Sequence, residues 1–190
     1  FGSFRELAAR SHAFEALAVF RGWRPTLTGR TEPERIDAQR VSAGYFRTLG
    51  VRPAIGRDFE AGDDREGAPK VVLLSDRLWR RRFAADPALI GRQLTIADEP
   101  FTVVGVLPRT LENVVAPEAE LWTTLQEPIT LPSEGEEWGH NLRMIARVAP
   151  GVSADDARRE LAAIATHPVP EFARPPWASL RRGLVVSTLQ

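Results

Sequence analysis

The chain contains no cysteine. That absence removes disulfides, thiol nucleophiles and thiolate metal sites together, and it fits an oxidising or a reducing compartment equally well. Net charge is also missing, because 25 Lys and Arg balance 25 Asp and Glu. No overall field therefore steers the protein toward nucleic acid or an anionic membrane surface, and nucleic acid is not an expected partner. Long apolar runs are absent too. Residues 71–74 and 184–186 are bounded at once by polar residues, far short of the roughly 18–20 apolar residues that span a bilayer. Histidine is scarce: His12, His140 and His167 are scattered, with none of the His-x-x-x-His or His-Glu-x-x-His spacing that brings two ligands to one helical face. The glycines form neither Gly-x-Gly-x-x-Gly nor a phosphate loop ending in Gly-Lys-Ser/Thr, so nucleotide binding, ATP hydrolysis by this chain and cofactors are not expected.

What is present is enough for a folded body. With 190 residues and 43% hydrophobic content, the chain can bury a core and has room for one domain or two small ones. It starts without Met or a signal-peptide pattern and opens into an amphipathic segment, so it reads as an excised piece of something longer.

Ser3 and Glu6 have the capping-box spacing of a helix start. Phe4, Leu7, Ala8, Phe14, Leu17 and Ala18 recur at three, four and seven, predicting one apolar helical stripe that Ser11-His12 bends or interrupts. Residues 23–28 and 35–41 read as strands around a polar turn at 29–33. Ser42 is a candidate cap for a short helix carrying Tyr45, Phe46 and Leu49, with Gly50 placed for a left-handed C-terminal cap. Residues 51–67 read as loop. Residues 71–74 predict a strand buried on both sides, and Ser75 caps a following helix that turns Leu78, Trp79 and Phe83 inward. Residues 93–97 and 101–107 flank Asp98-Glu99-Pro100 as a hairpin. A strand is expected near 120–124, another at 142–148, and a second capping box at Ser153 and Asp156 opens a helix with Ala157, Leu161 and Ile164 on its buried side. The helix ends at the prolines of 168–176, and 184–189 reads as a last strand.

Each candidate for chemistry has a plainer reading beside it. Asp58, Glu60, Asp63, Asp64 and Glu66 offer several oxygens to a hard cation, but their spacing is not that of an EF-hand and a solvated loop accounts for them. Ser75-Asp76 invites a nucleophile, yet no Gly-x-Ser-x-Gly elbow is present and capping accounts for the serine. Arg77, Arg80, Arg81 and Arg82, interleaved with Trp79 and Phe83, can be drawn as a contact for nucleic acid or anionic lipid headgroups. The same spacing is what a half-buried helix produces. Trp122, Trp138 and Trp177 mark either a binding surface or packing under loops. No catalytic, cofactor-binding or metal-binding residue is assigned.

Four stretches in succession carry a resemblance. They are Val-Ser-Ala-Gly-Tyr-Phe-Arg-Thr-Leu-Gly-Val at 41–51, Gly-Arg-Asp-Phe at 56–59, Val-Val-Leu-Leu-Ser-Asp-Arg-Leu-Trp-Arg-Arg-Arg-Phe at 71–83, and Phe-Thr-Val-Val-Gly-Val-Leu-Pro at 101–108. Joined by Leu121-Trp122 and the 147–153 segment with Ala157, they closely resemble the MacB-like periplasmic core domain of MacB/FtsX-type ABC transporter permeases. The 75–83 stretch is similar to that of duplicated orphan permeases of acidobacterial type. The resemblance implies an α+β fold in two lobes: a porter-like α/β sandwich from residues 1–57 and 139–190, and a smaller inserted αβ lobe, called Sabre, from 58–138. It implies a periplasmic, non-catalytic domain set between the first two transmembrane helices of an inner-membrane permease. Its partners would be those helices, an ABC ATPase on the cytoplasmic side, and in some relatives an adaptor protein or a second permease. Efflux or other transport, with mechanical transmission of the ATPase cycle, is the expected role. The rival readings are a stand-alone extracytoplasmic module binding peptide, lipid or sugar, and a hydrolase with an acid pair that the sequence does not announce.

Overall fold

The structure is a computed structural model that describes residues 2–29, 32–111, 115–126 and 142–166. Trp138, His140, His167, Trp177, the prolines of 168–176 and the strand expected at 184–189 lie outside the described residues, as do the side chains of Ser3 and Glu6.

The first helix, α1, is Gly2–Arg10, and strand β1 follows as Phe14–Trp23. Phe14, Leu17 and Ala18 therefore belong to a strand, not to the helical stripe that their spacing predicts. His12 falls between the two elements rather than on the helix. The reason is tertiary. Ala18, Val19 and Phe20 are all buried, so the strand is covered on both faces and shows no alternation that would distinguish it from a helix. Strands β2 (Thr26–Thr28), β3 (Glu34–Arg35) and β4 (Ala38–Val41) come next. Helix α2, Tyr45–Leu49, ends on Gly50 at φ 74°, the left-handed conformation that a residue without Cβ adopts freely. Ser42 does not cap it: Gly44 holds that position, and the Ser42 hydroxyl instead accepts from the Val19 N–H at 3.1 Å.

After the short β5 (Ile55–Gly56) come β6 (Val71–Leu74) and α3 (Asp76–Phe83). The Ser75 hydroxyl caps α3 by accepting from the Leu78 N–H at 3.0 Å. A single 3-10 turn at Pro87–Leu89 leads to β7 (Gln93–Ile96) and β8 (Glu99–Val106). Ala97 and Asp98 join this hairpin, both with positive φ, as a two-residue turn matched to strand twist requires. The described chain continues with β9 (Leu121–Thr124), β10 (Arg143–Val148) and α4 (Ala154–Thr166).

The ten strands of the described residues form one sheet in the order β10-β1-β4-β9-β6-β8-β7-β2-β3, with β5 pairing β8. The β4/β9 and β6/β8 pairs are parallel, and the others are antiparallel. The molecule is thus mixed α+β. The described parts of 1–57 and 58–138 meet through the β4/β9 and β2/β7 ladders. They meet again where Gly56 lies against β8: a Cβ on Gly105 would stand 2.7 Å from the Ile55 carbonyl oxygen and 2.8 Å from that of Arg57.

Alternation along the strands places two cores on opposite faces. One holds Phe20, Val41, Tyr45, Phe46, Phe59, Leu73 and Trp122. Its aromatic rings touch in series, Phe20 to Tyr45, Tyr45 to Phe46 and Phe46 to Trp122, with centroids 5.2–5.6 Å apart, the edge-on spacing that aromatic pairs favour. The other holds Leu27, Ile36, Val72, Leu74, Leu78, Trp79, Phe101 and Leu121. Burial of each large apolar side chain contributes roughly 1.5–3 kcal/mol relative to leaving it in water.

Candidate interaction surfaces

The acidic stretch after β5 is consumed by its own loop. Asp63 accepts from both terminal nitrogens of Arg57 at 2.6 and 3.1 Å and from the Glu60 N–H at 2.8 Å. Asp64 accepts from the Ala43 N–H at 3.0 Å and the Gln126 N–H at 2.9 Å, fastening the loop to the end of β4 and the end of β9. Asp58 accepts from the Phe59 N–H at 2.7 Å. Burial raises the Asp58 carboxyl above its ordinary range. For Asp63 burial also raises the pKa, but the Arg57 and Glu60 hydrogen bonds outweigh it and hold the carboxyl low. Glu60 lies 3.8 Å from Arg57, and Glu66 is exposed. Among the described residues, no three His, Cys, Asp or Glu side chains come together as a cation site.

The arginines of α3 are matched by carboxylates, although Arg77, Arg80 and Arg81 remain largely exposed. Glu120, just before β9, accepts from Arg77 at 2.7 Å and Arg81 at 2.9 Å. Glu34 of β3 accepts from Arg81 at 2.5 Å and Arg82 at 2.8 Å. Asp76 takes Arg80 at 2.8 Å, and Glu118 stands 3.8 Å from Arg77. Burial raises the Glu34 pKa, but the Arg82 and Arg81 hydrogen bonds pull it below the ordinary range. Trp79 and Leu78 are buried and Phe83 packs against the same core. This face is therefore charge-balanced and has little to offer nucleic acid or lipid.

Trp122 is 1% exposed and belongs to the core, so packing accounts for it, with only an edge reaching the cleft beside α3. Its indole N–H donates to Gln39 Oε1 at 2.7 Å, and Tyr45 donates to the same oxygen at 3.2 Å. Burial pushes the Tyr45 hydroxyl up to about 12, against the opposing pull of its bond to Gln39.

Three long-range links have no signature in the local sequence pattern. Glu160 on α4 accepts from the Ser11 hydroxyl at 3.1 Å and from the N–H groups of His12 and Ala13 at 2.6 and 2.7 Å. It thereby clasps the α1–β1 junction. The His12 N–H is the largest cause that holds the Glu160 carboxylate below its ordinary pKa. Arg147 on β10 donates from Nε to the Thr48 carbonyl at 2.9 Å, at the C-terminal end of α2 where helix carbonyls carry negative partial charge. Gln39 is the third. A buried amide between two aromatic donors is visible only once β4, α2 and β9 are assembled.

Two open clefts stand out among the described residues. One, of about 690 Å³, lies beside the start of α3 and includes Ser75, Arg77, Arg109, Pro117 and Trp122 in its lining. The other, of about 630 Å³, lies below α2 and is lined by Arg47, Arg52, Arg57, Asp58 and neighbouring apolar residues. Neither brings together a nucleophile, a base and an oxyanion site of the kind acyl transfer needs.

No curated protein matches the chain. Solved structures do. The periplasmic region of MacB from Actinobacillus actinomycetemcomitans aligns with a TM-score of 0.65 at 15% identity, covering 86% of this chain and 71% of that one. A domain of a putative permease protein from Porphyromonas gingivalis aligns at 0.61 and 14%, covering 85% and 68%. The extracellular domain of the noncanonic ABC-type transporter YknZ from Gram-positive bacteria aligns at 0.60 and 15%, covering 87% and 79%. These likenesses establish the fold. The sequence itself matches the family described as MacB-like periplasmic core domain over residues 3–164, and the chain therefore belongs to that family.

Proposed function

We propose that this chain is the non-catalytic external domain of a MacB/FtsX-type ABC transporter permease and that it passes motion between the membrane helices and a substrate or partner protein. The observation that best supports this reading is the Glu160 clasp, which ties the start of β1 to a helix 147 to 149 residues further on. Elements near the two ends of the described chain are thereby held together, as a body driven from one side requires. In this reading the permease sits in the inner membrane with the domain in the periplasm. An ABC ATPase acts from the cytoplasmic side, and an adaptor protein or a second permease meets the domain outside. The division into 1–57 with 139–190 and an inserted 58–138 is part of the same proposal. Because the two parts share one sheet and adjoin at the β4/β9, β2/β7 and β5/β8 pairs, their relative movement would be a flexing of that sheet and not the separation of two bodies. Coupling of this kind needs two states with different contacts, not a proton-transfer site.

The test uses the whole permease with its ATPase. Spin labels at the exposed positions Ala9, Ala88 and Ala162 exploit the absence of cysteine from this chain. The Ala9–Ala162 distance should stay fixed between nucleotide-free and ATP-bound states, while Ala9–Ala88 changes. Identical distance distributions in both states would remove the motion-coupling reading and leave a static binding module in its place.

A further inference from the structure

We infer that residues 184–189 of this chain pair with the outer edge of β10 as a strand parallel to it, and so close that edge to partner proteins. β10 is the last strand on its side of the sheet, with β1 as its one neighbour among the described residues. The direction of its backbone groups follows from β1. The Val19 carbonyl accepts from the Ser42 N–H, and the Val19 N–H donates to the Ser42 hydroxyl, so Val19 faces the β4 side. Backbone groups alternate in direction along a strand of an antiparallel pair. Ala18 and Phe20 therefore face β10, opposite Ile145 and Arg143. The Ala149 N–H, which donates to the Ala13 carbonyl, keeps the same alternation. Met144, Ala146 and Val148 are thus left directing their N–H and C=O groups away from β1. The side chains of these three and of Leu142 are half-buried. A bare edge lined with apolar residues is one that proteins cover.

Sequence, connection and tether select the occupant. Leu184-Val185-Val186-Ser187-Thr188-Leu189 is rich in the β-branched residues that suit a pleated, half-buried strand, and it is as long as the 6 residues of β10. A helix between two strands is the crossover that joins parallel neighbours, and α4 supplies that helix directly after β10. Both sides of β1 are taken, by β10 and β4, so the vacant place beside β10 is the one that a short crossover reaches. The other end of the sheet, at β3, offers only 2 residues. Residues 167–183 return the chain to β10 with length to spare, since an extended chain covers ~3.3–3.6 Å per residue. The tether also gives this segment a local concentration that a free partner strand does not have. Ile164 is half-buried whereas Ala157 and Leu161 on the same stripe of α4 are buried, which leaves apolar surface for an added strand to cover. The pairing is a property of the domain alone and does not depend on the motion-coupling proposal.

The test is amide-resolved NMR of the 190-residue chain. Overhauser contacts should join 184–189 to Met144 and Ala146, and hydrogen exchange at those two amides should be slowed to within about tenfold of Ile145, which faces β1. Val185→Pro and Val186→Pro each remove a donor and break strand geometry. Both variants should speed exchange at Met144 and Ala146 by about tenfold or more while Ile145 stays protected. The proposal is overturned if the parent shows no contacts between 184–189 and β10, or if exchange at Met144 and Ala146 is the same in parent and variants. Protection of those amides that rises with protein concentration and survives both substitutions assigns the edge to a second copy of the chain, and overturns the proposal equally. If the proline variants lose the dispersed spectrum of the parent, the Overhauser contacts in the parent decide alone.

Discussion

Trp122 donates its indole N–H to Gln39 Oε1 at 2.7 Å, and the same two residues are register partners in the parallel β4/β9 ladder. A side-chain bond is thus laid alongside the backbone bonds that join β4 to a strand 83 positions later. The Tyr45 hydroxyl completes the group from α2. All three side chains are at most 2% exposed, so no water replaces a lost partner. Gln39→Leu keeps approximate volume and strands two donors, and the expected cost is about 2–4 kcal/mol from two desolvated, unpaired groups. Chemical denaturation followed by tryptophan fluorescence measures it; a change under about 0.5 kcal/mol, a fraction of one net hydrogen bond, would mean the donors find other acceptors.

Trp79 is 7% exposed, and its indole N–H donates to the Asp86 carbonyl at 3.0 Å. Trp79→Ala should therefore lower stability by about 3–5 kcal/mol. Trp79→Phe should recover part of that loss by refilling the space without the hydrogen bond. Thermal melts of the two variants decide the matter, and near-neutral behaviour of the alanine variant would sink the packing assignment.

Gly105 lets the 54–57 segment lie directly against β8. A methyl group there meets two carbonyl oxygens and the Leu73 side chain, all within 2.9 Å. Gly105→Ala should cost about 1–3 kcal/mol through overpacking. The loss should appear as faster amide exchange at Ala54 and Arg57, whose N–H groups bond β8. Unchanged exchange at both positions would show that the segment shifts without strain.

Glu160 gives a pH prediction. Its carboxylate pKa is lowered in the folded protein, first by the His12 N–H and further by Ala13 and Ser11, with burial opposing. A depressed carboxylate stabilises the fold above its unfolded pKa of about 4.3, and that contribution fades as pH falls through the lower folded value. At pH 7, Glu160→Gln should cost about 1–2 kcal/mol, as hydrogen bonds to a charged acceptor do. The gap between parent and variant should narrow steadily below about pH 4. Denaturation at pH 7, 5 and 3 checks this. A gap independent of pH would assign the effect to side-chain shape and not to charge.

Local chemistry made several elements legible in advance. Ser75 and Ser153 cap their helices as their positions predict, Gly50 takes the left-handed cap, and the Asp98 turn joins its two strands. Each of these depends on residues within a few positions of one another, so the sequence carries the whole cause. The family was legible for a related reason: an ordered series of local motifs survives in the chain whatever the long-range contacts do.

Other features were decided only in three dimensions. The 14–18 stretch has helical spacing but lies in a strand that pairs with β10 and β4, because its partners lie far along the chain and cover it on both faces. Arg77, Arg80 and Arg81 stay solvated as the helix pattern predicts, with 60%, 58% and 44% of the side chain exposed, but their carboxylate partners Glu34 and Glu120 arrive only with β3 and the approach to β9. Glu160 and Gln39 had no local signal at all. The sequence by itself determined helix ends, turns and family membership, since short-range sterics and hydrogen bonding settle them. Which strands adjoin, which charges find partners and which remain uncommitted were settled by tertiary structure, because those outcomes depend on groups tens of residues apart meeting in one place.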